Sequence, residues 1–130
     1  MTDISKIDMN RINGLISLLE SIDYVVESKL PTKEDPSWYR LYKSGWLEQG
    51  GYEDNPTELQ PLTVNLLKPF VSTNYSITLG NSNIGFSATQ SRLVKILSKE
   101  TDTITFTGPY DNLVNGDFKF YWEAKGQSAQ

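Results

Sequence analysis

The chain has 130 residues, with 12 Lys and Arg against 16 Asp and Glu, a formal charge of −4, and neither histidine nor cysteine. Without cysteine there is no disulfide framework and no thiolate metal site. The acidic balance, with no basic grouping larger than Arg40 with Lys43, argues against nucleic acid as a partner.

Residues 3–22, "DISKIDMNRINGLISLLESI", read as a helix with Asp3 as N-cap. Its apolar set Ile12, Leu15, Leu19 and Ile22 repeats at 3-4-3 spacing, the a and d positions of a heptad, with Met9 and Ile16 flanking. Asp8 and Ser5 break the pattern upstream, so two heptads remain, a marginal length for a helix in water. Three readings stand: the helix packs on its own domain, it forms a short coiled coil compatible with three strands, or it continues a longer stalk. The chain is therefore divided into a helical part, 1–23, and a β domain, 24–130.

From Tyr24 the pattern changes to short strands. "YVVESKL" (24–30) is stopped by Pro31, and "WYRLYK" (38–43) with "WLEQ" (46–49) flank a Ser44-Gly45 turn as a hairpin. The segment 50–61, "GGYEDNPTELQP", reads as a long acidic loop. "TVNLLK" (63–68) and "YSITL" (75–79) are strands separated at Pro69, and "GNSN" (80–83) is a turn. Segments 84–89, 92–97, 103–108 and 118–124 complete about eight strands. Strands at this spacing with no helices between them predict an antiparallel β-sandwich.

Alternation assigns faces. Phe118, Phe120, Trp122 and Ala124 share one side of the last strand, with Lys119, Tyr121 and Glu123 on the other. Ile104 and Phe106 point inward. Trp38, Arg40 and Tyr42 oppose Tyr39 and Leu41, so both faces of that strand carry aromatics, which points to a subunit interface.

The stretch "WYRLYKSGWLEQGG" (38–51) closely resembles a signature of the C-terminal domains of bacteriophage tail-fibre and related virion proteins. There it reads aromatic-Arg-Val/Leu-Tyr-x-x-Gly-Trp-x-Glu-Gln-Gly-Gly. "DYVVESKLPT" upstream, "VNLLKPFVSTNYSITL" (64–79) and the closing "FKFYWEAKG" extend the likeness over about residues 23–126. The resemblance implies an H-type-lectin-like antiparallel β-sandwich assembled as a homotrimer, with the helix as part of a trimeric stalk. Ile12, Leu15, Leu19, Ile22, Arg40, Trp46 and Glu48 are then the candidate trimer-interface residues. It also implies a structural component of a virion fibre, tail or head, made in the host cytoplasm and joined to other fibre, capsid or tail proteins. As a distal domain it would contact a host-surface carbohydrate; the alternative is a cap that registers three chains and binds no ligand.

Enzymatic chemistry is not expected. Only carboxylates, Lys and Tyr are available, and Glu53-Asp54 and Glu34-Asp35 are adjacent residues on presumed loops. No cofactor or metal is expected either: "DNLVNGD" (111–117) matches no calcium loop and reads as Asx turns. No apolar run reaches the ~20 residues that span a bilayer, so membrane insertion is not expected. The candidate ligand-binding residues are aromatic rings beside Asp and Asn: Tyr52 with Asp54 and Asn55, and Tyr110 with Asp111 and Asn112. A ring stacks on the CH face of a sugar, while carboxylates and amides take its hydroxyls.

Overall fold

A computed structural model describes residues 4–54, 61–82, 94–108 and 119–129, with side chains described for 9–53, 61–80, 94–108 and 119–129. The helix α1 spans Ile4–Ser21, and eight strands follow among the described residues: β1 Val25–Lys29, β2 Trp38–Tyr42, β3 Trp46–Asp54, β4 Leu62–Asn65, β5 Ser76–Ser82, β6 Lys95–Lys99, β7 Thr103–Thr107 and β8 Lys119–Gln127. They form two antiparallel sheets, a five-stranded one in the order β1-β2-β3-β8-β5 and a three-stranded one in the order β4-β7-β6. Asp3 and segment 84–89 lie outside the described residues.

Period-two alternation builds the core. Phe120, Trp122 and Ala124 on β8 are buried, as are Leu41 on β2, Leu47 on β3, and Ile104 and Phe106 on β7. Phe118 lies outside the described residues. Phe106 meets Phe120 edge-on, with ring centroids 4.8 Å apart, and so joins the two sheets.

Four expected boundaries move. The segment expected to begin a loop at Gly50 instead continues β3 to Asp54, paired throughout with β8. Gly50 and Gly51 are there to let rings approach the backbone. A Cβ at Gly50 would meet the Trp122 carbonyl oxygen at 2.5 Å and the Trp38 ring at 2.8 Å. The turn expected at 80–83 is corrected likewise, since β5 runs through Gly80 to Ser82 along β8. The strand expected over 63–68 stops at Asn65, because the backbone of Leu67 and Lys68 bonds to the Gln49 side chain instead. The strand expected over 92–97 runs over Lys95–Lys99, with an irregularity between Ile96 and Ser98 that leaves Leu97 exposed. The Ser44-Gly45 turn is present, with Gly45 at φ 90°, a conformation that favours glycine.

The helix stands apart from both sheets. No strand packs on it among the described residues, and Met9, Ile12, Leu15, Ile16, Leu18, Leu19 and Ile22 are all exposed. This overturns the reading in which its apolar face packs on its own domain. Polar bonds tie its C-terminus to the β2–β3 hairpin. The Asp23 carboxylate accepts from the Ser44 amide at 2.9 Å and the Ser44 hydroxyl at 2.6 Å, and Lys43 Nζ donates to the Glu20 carbonyl. The two Ser44 bonds hold the Asp23 carboxyl below its usual range.

Tyr75 closes the core at the hairpin end. It stacks on Phe70 with centroids 4.1 Å apart, and its buried hydroxyl donates to the Glu100 carbonyl at 2.6 Å. Burial, reinforced by the Glu100 and Asp102 charges, pushes this phenol up to about 12. An unfolded tyrosine ionises near 10, so the native state favours the neutral phenol. Its contribution is therefore complete below pH ~10 and is lost between about 10 and 12. Urea midpoints should fall across that window in the wild type. In Tyr75→Phe the fall should be smaller, and an equal fall in both would show that other groups cause it.

Candidate functional site

The five-stranded sheet turns one face to the core, and no described element packs on the other. Register places Trp38, Arg40 and Tyr42, then Trp46, Glu48, Gly50 and Tyr52, then Lys119, Tyr121, Glu123 and Lys125, on the outer face. Charged groups there are paired within the chain. Arg40 Nη2 lies 3.2 Å from Glu48 Oε1, Lys125 Nζ 3.8 Å from Glu48 Oε2, and the Tyr42 hydroxyl donates to Glu48 at 3.1 Å. The hydrogen bond to Glu48 raises the Tyr42 phenol above its ordinary value. Trp38 covers Gly50 on one side and carries the Arg40 guanidinium over its ring, 4.9 Å from the centroid.

The candidate residues separate toward two ends of this sheet. Trp46 follows the hairpin that holds the helix, and Arg40 and Glu48 pair directly opposite each other in the β2–β3 register. Ile12, Leu15, Leu19 and Ile22 lie exposed along and just beyond the helix; Leu18, also exposed, was missed because it falls off the 3-4 spacing. At the far end β3 ends at Asp54, β8 begins at Lys119 and β5 ends at Ser82, side by side in register. In the second sheet Thr107, at the end of β7, pairs with Lys95 at the start of β6, and Phe106 beside it meets Phe120. The residues flanking 55–60, 83–93 and 109–118 therefore gather at the end away from the helix.

Tyr52 lies toward that far end, its ring 4.3 Å from the Tyr121 ring and tilted by 40°. Asp54 is the last residue of β3. Asn55, Tyr110, Asp111 and Asn112 lie outside the described residues. Tyr121 and Glu123 were placed on the outward side by alternation alone. What singles them out is tertiary: Glu123 borders two recesses of the outer face and Tyr121 one of them. One, of about 300 Å³, is lined by Lys29, Leu30, Pro31, Trp38, Arg40 and Glu123. The other, of about 250 Å³, is lined by Thr78, Leu79, Gly80, Tyr121, Trp122 and Glu123.

No family model and no curated protein matches the chain by sequence. Among solved structures, the fold is similar to that of an N-truncated R2-type pyocin tail fibre, with a TM-score of 0.54 and 16% identity. The likeness covers 80% of this chain and 39% of that one, so the chain spans about two-fifths of the fibre chain it matches. At that identity the likeness is one of fold.

Proposed function

We propose, with the shared fold as premise, that this chain is a domain of a phage virion fibre. Its helix joins three copies, and its far end contacts a host-surface glycan. The observation that carries this reading is the helix. Seven apolar side chains along and just beyond it are bare, no described strand covers them, and it leaves the domain at the end away from the gathered chain segments. An apolar stripe of this width needs a partner, and mixed Ile and Leu at a and d suit three strands. Two heptads alone bind weakly. The hairpin end of the outer face, with Trp46 beside the Arg40–Glu48 pair, is the surface nearest to extend the contact. The lectin-like assignment of the two sheets and the virion location belong to the same reading.

Leu19→Asp tests it. Three carboxylates on one buried seam are strongly disfavoured. Light scattering after gel filtration should give ~44 kDa for the wild type, three chains of 14.7 kDa, and a single-chain mass for the variant. A wild-type monomer would sink the stalk, and an unchanged variant trimer would remove the helix from the contact. A trimer that adsorbs to no bacterial cells would leave the cap without a ligand as the surviving function.

A further inference from the structure

Resting on the proposed glycan contact, we infer that the recess among Thr78, Gly80, Tyr121 and Glu123 is a subsite for one pyranose ring of a neutral glycan. Its 250 Å³ lies below the ~300–1,000 Å³ of sites for drug-sized ligands, which fits a single ring.

Each wall supplies something a sugar requires. Tyr121 is 58% exposed, the most of any aromatic ring described, yet Tyr52 backs it at 4.3 Å. A ring so held offers a stacking surface at little entropic cost, as paratope tyrosines do. Gly80 pairs with Tyr121 in the β5–β8 register, and the nearest atom to a Cβ built there is Tyr121 Cβ at 3.8 Å. The floor beside the phenol is therefore open. Thr78 and Glu123 are also a register pair, and they place a hydroxyl and a half-exposed carboxylate, 3.9 Å from Lys125 Nζ, at one border of that floor. β5 is an edge strand among the described residues, so its outer backbone groups are further partners for sugar hydroxyls.

The larger recess fits a sugar less well, because Trp38 already lies against Gly50 and under Arg40. The Tyr121–Gly80 end of the smaller one also lies away from the proposed subunit contact. Tyr121 pairs with Tyr52, six residues and about 20 Å along β3 from Trp46, and only Glu123 also borders the larger recess beside Arg40. A pyranoside is therefore a better occupant than a second copy, whose contact begins at the hairpin end.

The test uses the full chain and a panel of methyl pyranosides of glucose, galactose, mannose and N-acetylglucosamine. Saturation-transfer NMR reads binding, light scattering reads assembly, and adsorption to a panel of bacterial strains reads the glycan contact. Gly80→Val fills the floor and Tyr121→Ala removes the stacking surface, while Ser98→Ala on the other sheet is the control. At least one pyranoside should bind the wild type, with both site variants weakening it by tenfold or more at unchanged mass. Three outcomes overturn the subsite: no pyranoside binds, binding survives both variants, or the variants change the oligomer. Strain adsorption separates this failure from that of the broader reading. Undiminished adsorption by Gly80→Val defeats the subsite alone, whereas a wild type that adsorbs to no strain defeats the glycan contact itself.

Discussion

Replacing Gln49 by Leu should lower the unfolding free energy by about 4 kcal/mol, the largest loss expected from any near-isosteric change in this domain. Gln49 is fully buried, and its side chain substitutes for a missing strand partner. Nε2 donates to the Lys68 carbonyl at 2.8 Å, while Oε1 accepts from the Leu67 and Lys68 amides at 3.0 and 3.2 Å. A leucine fills similar space but strands two N–H groups and one carbonyl, at ~1–3 kcal/mol each before relaxation. Urea unfolding measures the loss. Gln49→Glu sharpens the test, because a carboxylate keeps the acceptor and loses the donor to Lys68. Burial favours its neutral form, which restores a donor. That variant should recover stability as pH falls toward the ordinary glutamate value near 4.3, and the recovery should be complete below it. A Leu variant within 1 kcal/mol of wild type would mean that water or a local shift replaces the amide.

Gly50→Ala should cost about 3 kcal/mol by overpacking. The added methyl would stand 2.5 Å from a backbone oxygen of Trp122 and 2.8 Å from Trp38 Nε1. The indole can swing aside only by giving up its place under Arg40, and the β8 backbone is held on both sides by β3 and β5. Two glycines serve as controls in the same urea series. Gly80→Ala meets only ordinary contact at 3.8 Å and should be nearly neutral. Gly14→Ala meets nothing within 4 Å and should gain about 1 kcal/mol from helix propensity. Equal effects at Gly50 and Gly80 would refute the close-approach account of the paired glycines.

The class of fold is legible in local patterning. Period-two runs such as Phe120-x-Trp122-x-Ala124 and Ile104-x-Phe106 specify which side chains meet the core, because alternation follows from strand geometry alone. The Ser44-Gly45 hairpin and the amphipathic helix were legible for the same reason: each depends on residues within a turn or two of each other. That the helix stripe is bare, by contrast, is a tertiary fact: no described strand packs against it.

Other features come from packing between residues far apart in the chain. Gly50-Gly51 looks like a turn signal, and only Trp38 and Trp122 across neighbouring strands turn it into a channel for rings. Gln49 stands in the signature as a polar residue able to satisfy backbone groups, but which groups it satisfies depends on the 66–68 segment that crosses above it. Gly80 likewise passes from a presumed turn into β5, since pairing with β8 outweighs the local preference of Gly and Asn. The recess at Tyr121 joins a β5 floor to a β8 wall and a β3 backing ring, three strands that no local spacing could bring together.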